Sequence, residues 1–166
     1  EQLEEKEIGG FISGVGTGGT LIGIGKRLKE KDSKIKIVAL EPEKMPILSK
    51  GKIVGQHKIE GIGDDFVPDI FSENKDIVEK EIILINDDTA INMARKLSKE
   101  LGLGVGISSG ANFIGAVLLQ EKLKKNIVTI FADDNKKYLS TDLKNEKIEN
   151  TEFLSDKIKL LGYEEV

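Results

Sequence analysis

The run Gly14-Val15-Gly16-Thr17-Gly18-Gly19-Thr20 constrains this chain more than any other stretch. Before it lies the apolar segment Ile8 to Ser13, which reads as a buried strand. After it Leu21, Ile24 and Leu28 recur at helical spacing and lead into the charged Lys29-Glu30-Lys31, the pattern of an amphipathic helix. A glycine-rich turn between strand and helix lets several backbone N–H groups converge on one point. The helix N-terminus adds partial positive charge there, and Thr17 and Thr20 add hydroxyl donors. A phosphate group is the natural occupant. A tight turn without a ligand is the plainer reading, but such a turn has no need of so many consecutive small residues.

The same loop has a second possible owner. Gly14, Gly16 and Gly19 satisfy the G-x-G-x-x-G dinucleotide fingerprint, and Glu41 closes the next strand where a ribose-binding acid would stand. On the loop alone, a nicotinamide-dependent oxidoreductase and an enzyme of another phosphate-bearing cofactor are both open.

The rest of the chain alternates strands with helices. Lys34 to Leu40 is a β-branched strand, and Pro42, Pro46 and the stretch Gly51 to Gly63 then break regular structure into a long surface loop. Ile82 to Ile85 is a strand. Asp87 or Asp88 is the expected cap of a helix whose face carries Ile91, Ala94, Leu97 and Leu101, ended by Gly102 and Gly104. A helix over Ser109 to Lys125 and a strand over Ile127 to Phe131 follow. Because the strands are apolar throughout, the expected fold is α/β, three-layered, with a mainly parallel sheet covered on both faces. The expected division is a domain over 1–141 and a charged extension over 142–166, either a last helix or a loose tail.

Composition narrows the class. A formal charge of −4 over 166 residues, with basic residues scattered, leaves no nucleic-acid footprint. The absence of cysteine removes any disulfide framework or thiolate metal site, and no metal is expected. No apolar run approaches the roughly 18 residues of a membrane span. The charged opening Glu1 to Lys6 is not a signal peptide and reads as the end of a helix. A cytoplasmic location is the expectation.

Four further segments resemble one family in the right order. The run Phe11 to Thr20 is similar to the phosphate loop of cysteine synthases and cystathionine β-synthases. Val38-Ala39-Leu40-Glu41-Pro42 resembles the strand and turn after the family's first helix. His57-Lys58-Ile59-Glu60-Gly61-Ile62-Gly63 with Phe66-Val67-Pro68 resembles its substrate-side loop. Gly106 to Ala111 and Tyr138 to Thr141 resemble its last two signatures. A dinucleotide enzyme has no reason to carry these. The resemblance covers roughly residues 8 to 141 and implies the larger cofactor domain of a two-domain pyridoxal-phosphate enzyme, dimeric in this family. It implies that Gly16, Thr17, Gly18, Gly19 and Thr20 hold the cofactor phosphate. It implies that Ser108 hydrogen-bonds the pyridine nitrogen and that Gly61 lines the substrate side. Ser108 or Ser109 would otherwise be read as a helix N-cap. His57, the only histidine, matches no catalytic base of the family and reads as structural.

The chain also departs from the pattern. The Schiff-base lysine and the substrate-carboxylate loop belong to the family's N-terminal half, and no lysine here lies in a matching context. Catalysis therefore calls for that missing half, and a non-catalytic binding module is the alternative. Asp64 and Asp65 stand where cysteine synthases carry small residues, whereas cystathionine β-synthases resemble the chain only at Asp65. A carboxylate facing the aminoacrylate would serve as a general base on water. The expectation is pyridoxal-phosphate β-replacement or β-elimination on cysteine or O-acetylserine, with conversion of cysteine and water to serine and hydrogen sulfide as the sharper form. Solvated loop charge is the plain alternative for both aspartates. Phe131-Ala132-Asp133-Asp134-Asn135 replaces a segment in which the family has a proline and small residues, so the geometry of the last loop is left open.

Overall fold

The computed structural model describes residues 7–144 and 152–164. The opening Glu1 to Lys6 and residues 145–151 and 165–166 of the tail lie outside the described residues. Strand β1 (Ile8–Gly14) leads through helix α1 (Gly19–Lys31) to β2 (Lys36–Pro42). Two one-turn helices, α2 (Ile47–Lys50) and α3 (Asp69–Ser72), punctuate the long excursion before β3 (Ile83–Ile85). Helices α4 (Asp87–Leu101) and α5 (Ile107–Leu123) then return the chain to β4 (Asn126–Val128). The sheet runs β3-β2-β1-β4, and each of its neighbouring pairs is parallel.

The strands lack polar alternation because both faces are covered. Successive residues of β1 and β2 go to opposite cores, with Phe11, Ile37 and Ala39 packed on the α1 side. Ile12, Val38 and Leu40 pack on the α4–α5 side. Full burial of an isoleucine or leucine contributes about 1.5–3 kcal/mol, so these two layers hold the parallel sheet together. The three layers expected from the apolar strands are present.

Three of the boundaries that differ from the sequence reading bear on the site. Asn86, not Asp87 or Asp88, caps α4: its side-chain oxygen accepts from the Asp88 and Thr89 N–H groups. Asp87 is instead buried, held by Lys44 Nζ at 2.8 Å while it accepts from the Lys58 N–H. Helix α5 begins at Ile107 with Gly106 as its N-cap, so Ser108 and Ser109 lie in its first turn rather than at the cap. The last strand stops at Val128 because the segment after it turns toward the start of α5. Of the charged tail, the one-turn helix α6 (Leu154–Lys157) packs on α4, where Lys96 Nζ reaches the Ser155 and Ile158 carbonyls.

Candidate active site

In this topology the chain leaves β1 for β2 over one face of the sheet, while β4 is reached over the other. The carboxyl ends of β1 and β4 therefore diverge, and a crevice opens beyond them, the usual place for a ligand in an open parallel sheet. A cleft of about 320 Å³ lies there, between the N-termini of α1 and α5.

One wall is the glycine loop. The backbone N–H groups of Gly16 through Leu21 have no acceptor among the described residues; the first N–H engaged in α1 is that of Ile22, to the Gly18 carbonyl at 3.0 Å. Gly18 caps the helix in the left-handed conformation with no side-chain cap. Among the described residues nothing thus competes for the donors or for the positive end of the helix. Gly16 permits a close approach: a Cβ there would lie 2.5 Å from the Gly61 carbonyl oxygen. A glycine cradle with five or six free donors fits the phosphate of a cofactor.

The opposite end is built by α5 and the segment after β4. Ser108 is buried and lines the cleft, and its hydroxyl has no partner among the described residues. Asn112, one turn further along α5, ties the two strand ends together. Its Oδ1 accepts from Gly14 N–H at 2.8 Å and its Nδ2 donates to the Ile130 carbonyl at 2.9 Å. Asp133 docks beside Gly106, leaving no room for a side chain there, and its carboxylate accepts from the Tyr138 hydroxyl at 2.6 Å. The other carboxylate oxygen is buried without a partner. Burial, and then the hydrogen bond to Asp133, push the Tyr138 phenol well above its ordinary value.

The cleft brings together Gly16, Thr17, Gly18, Gly19, Thr20, Gly61 and Ser108 of the expected residues. A Cβ on Gly61 would meet no protein atom, so what demands glycine there on the protein side is its φ of +86°. Asp64 and Asp65 are exposed on the loop just beyond Gly63 and are not part of the cleft lining. Glu41 is buried and spent: its two oxygens accept from Leu48 N–H at 2.8 Å and Ser49 N–H at 3.0 Å, leaving no group for a ribose. Asn112 and Asp133 were missed in the sequence. Asn112 carries a signal, an amide within the apolar first half of a helix, whereas Asp133 stands out only as a departure in a loop.

A three-layer α/β unit with a phosphate cradle facing a buried serine across a sheet-edge crevice defines a domain that binds a phosphate-bearing cofactor. The chain belongs to the family of pyridoxal-phosphate dependent enzymes, whose family model matches residues 1–133. It is 48% identical over 140 residues to cysteine synthase B of Campylobacter jejuni, covering 84% of this chain and 45% of that protein. A crystal structure of a hydrogen sulfide-producing enzyme from Fusobacterium nucleatum superposes with a TM-score of 0.84 at 54% identity, covering 93% of this chain and 46% of that one. O-acetyl serine sulfhydrylase isoform 3 from Entamoeba histolytica superposes with a TM-score of 0.79 at 42% identity, over 87% of this chain and 43% of that one. The chain thus spans less than half the length of the relatives it matches. A further crystal structure holds an aspartate-to-asparagine variant of the same hydrogen sulfide-producing enzyme, complexed with an α-aminoacrylate intermediate. Among the described residues no helix is long and apolar enough to cross a membrane.

Proposed function

We propose that this chain is the cofactor-phosphate-binding part of an enzyme of sulfur amino-acid metabolism that acts on cysteine or O-acetylserine, works as a homodimer, and releases sulfide from cysteine with water as the incoming nucleophile. The observation that carries the reading is the row of free backbone donors at Gly16 to Leu21 facing the free Ser108 hydroxyl across one cleft. Pyridoxal phosphate, when bound, supplies an electron sink for bond breaking at the β-carbon of an amino acid. The glycine loop, with Thr17 and Thr20, holds the phosphate end. Ser108 offers a neutral hydrogen-bond donor to the ring nitrogen. Asn112 keeps the two ends at a fixed separation by joining β1 to the segment after β4. Gly61 forms the substrate-side wall.

Asp64 supports water as the nucleophile. It follows Gly63, whose N–H donates to the Val15 carbonyl at 2.8 Å, so it is anchored one residue from the phosphate loop. Its carboxylate has no hydrogen bond or ion pair among the described residues and is therefore free to take a proton from water. The variant of the Fusobacterium enzyme that lost an aspartate, in complex with an aminoacrylate, is consistent with a carboxylate acting on that species. The full-length enzyme, given cysteine alone, should form serine and sulfide in equal amounts, and Asp64→Asn should slow this roughly 10²–10⁴-fold, the usual worth of a general base. Unchanged sulfide and serine formation in both Asp64→Asn and Asp65→Asn would discard these carboxylates as the general base, and an unaltered enzyme that forms no serine from cysteine would discard water as the nucleophile. Cysteine formation from O-acetylserine and sulfide would then leave a cysteine synthase. A non-catalytic module would bind the cofactor and do neither.

A further inference from the structure

His57 is the only histidine of the chain and lies outside the cleft lining. Its Nε2 is 2.9 Å from the Gly63 carbonyl oxygen, and its Nδ1 is 3.2 Å from the Ile59 nitrogen. A carbonyl can only accept and a backbone N–H can only donate. The proton therefore sits on Nε2 and the lone pair on Nδ1, a neutral imidazole in a single tautomer. With both nitrogens engaged, the ring has none left for proton transfer. The two contacts instead clip together the legs of a tight turn, at whose tip Glu60 and Gly61 enter the cleft.

That turn is fastened on its other sides as well. Buried Ile59 and Ile62 anchor it in the α4–α5 core. The Gly63 N–H holds the Val15 carbonyl at 2.8 Å, and the Gly61 carbonyl lies against Gly16. The Lys58 N–H donates to buried Asp87 at 3.1 Å. Without the imidazole, the leg from His57 to Ile59 and the leg at Gly63 have no direct polar link to each other. The width of the turn, and with it the gap between Gly61 and the phosphate loop, then depends on packing and on the separate Gly63–Val15 and Lys58–Asp87 hydrogen bonds.

We infer that His57 is a positioning residue for substrate: its neutral ring sets the distance between the Gly61 wall and the phosphate loop, and so sets how tightly the amino acid is held, without touching it. The inference rests on the cleft being the cofactor and amino-acid site, and is independent of which nucleophile enters. In the holoenzyme, His57→Leu removes both polar contacts at similar volume, and His57→Gln can restore one donor and one acceptor. His57→Leu should raise KM for the amino-acid substrate roughly tenfold, the worth of one or two such hydrogen bonds. The change in kcat should stay within about twofold, because the ring makes no contact with reacting atoms. His57→Gln should recover part of the lost affinity. Amide exchange at Ile59 should quicken in His57→Leu. The ¹⁵N histidine signal that is missing from His57→Gln should report a protonated Nε2 and a bare Nδ1. A wild-type KM in both variants, or a fall in kcat at constant KM, would overturn the inference, as would an Nδ1-protonated ring. If His57→Leu fails to fold, the His57→Gln kinetics and the tautomer decide it. If the unaltered enzyme turns over neither cysteine nor O-acetylserine, the functional reading fails. In that case loss of Ile59 protection together with weakened cofactor or amino-acid binding still supports a positioning role, and unchanged binding overturns it.

Discussion

Helices α1 and α4 both start at the carboxyl end of the sheet with a positive dipole end, and the chain treats those ends in opposite ways. The α4 end is closed. Asn86 caps it, and Asp87 and Asp88 place carboxylates in its first turn. The α1 end is open, with a glycine cap, no acidic residue in its first turn and free N–H groups. The same backbone electrostatics therefore yields a closed structural terminus in one case and an end open to an anion in the other, and the side chains around the first turn decide which. The N-terminus of α5 is intermediate: its own first turn carries no acid, but Asp133 arrives from a distant loop and places a carboxylate beside it. That carboxylate makes the α5 end of the cleft less favourable to an anion than the α1 end.

The comparison breaks most sharply at Gly16. A valine there would drive its Cβ into the Gly61 carbonyl, 2.5 Å away. Overpacking of this kind costs about 1–3 kcal/mol, so Gly16→Val should weaken cofactor binding roughly ten- to a hundredfold in a spectroscopic titration of the apoenzyme. Undiminished affinity would mean that the phosphate is held elsewhere. At the α5 end, Tyr138→Phe removes the hydroxyl donor to the Asp133 carboxylate, leaving it only the Lys137 ammonium among the described residues, and should cost about 1.5–3 kcal/mol in denaturant unfolding at neutral pH. The sign of its pH dependence follows from the raised phenol pKa. Stability contributed by the neutral phenol is fully present below the ordinary tyrosine value of about 10 and drains away as pH rises above it, so the wild type should lose stability there more steeply than Tyr138→Phe. Parallel alkaline profiles would contradict the buried phenol–carboxylate pair. The smallest effect belongs to the closed end. Asn86→Ala should lower stability by about 1 kcal/mol and leave cofactor affinity unchanged, and an affinity change would show that the two helix ends are coupled.

Much of the fold was legible because its signals are local. β1, the glycine loop and α1 declare themselves through apolar runs, glycine density and helical spacing, and β2 through its β-branched residues. Boundaries shifted where tertiary contacts took precedence over local preference. Asp87 looks like a cap in sequence, but Lys44 and the Lys58 N–H draw it inward, and Asn86 takes its place. Glu41 looked available to a ribose until the turn at Ile47–Lys50 folded onto it. Asp64 and Asp65, singled out by type and position, remain on an exposed loop beyond the lining.

The amino-acid sequence by itself determined the parallel α/β class and the phosphate loop, because hydrophobic period and glycine freedom act within a few residues of each other. Through motifs in a fixed order it also pointed to Ser108 and Gly61, which the fold places in the same cleft as that loop. Only the tertiary structure decided that β1 is central with β4 beside it, which opens the crevice at Gly14. It alone brought Asn112 to the end of β1, Asp133 to the start of α5 and the His57 ring between Ile59 and Gly63. Such pairings join backbone and side-chain groups whose partners are chosen by packing, and two of the three span elements far apart along the chain, so no spacing rule in one dimension announces them.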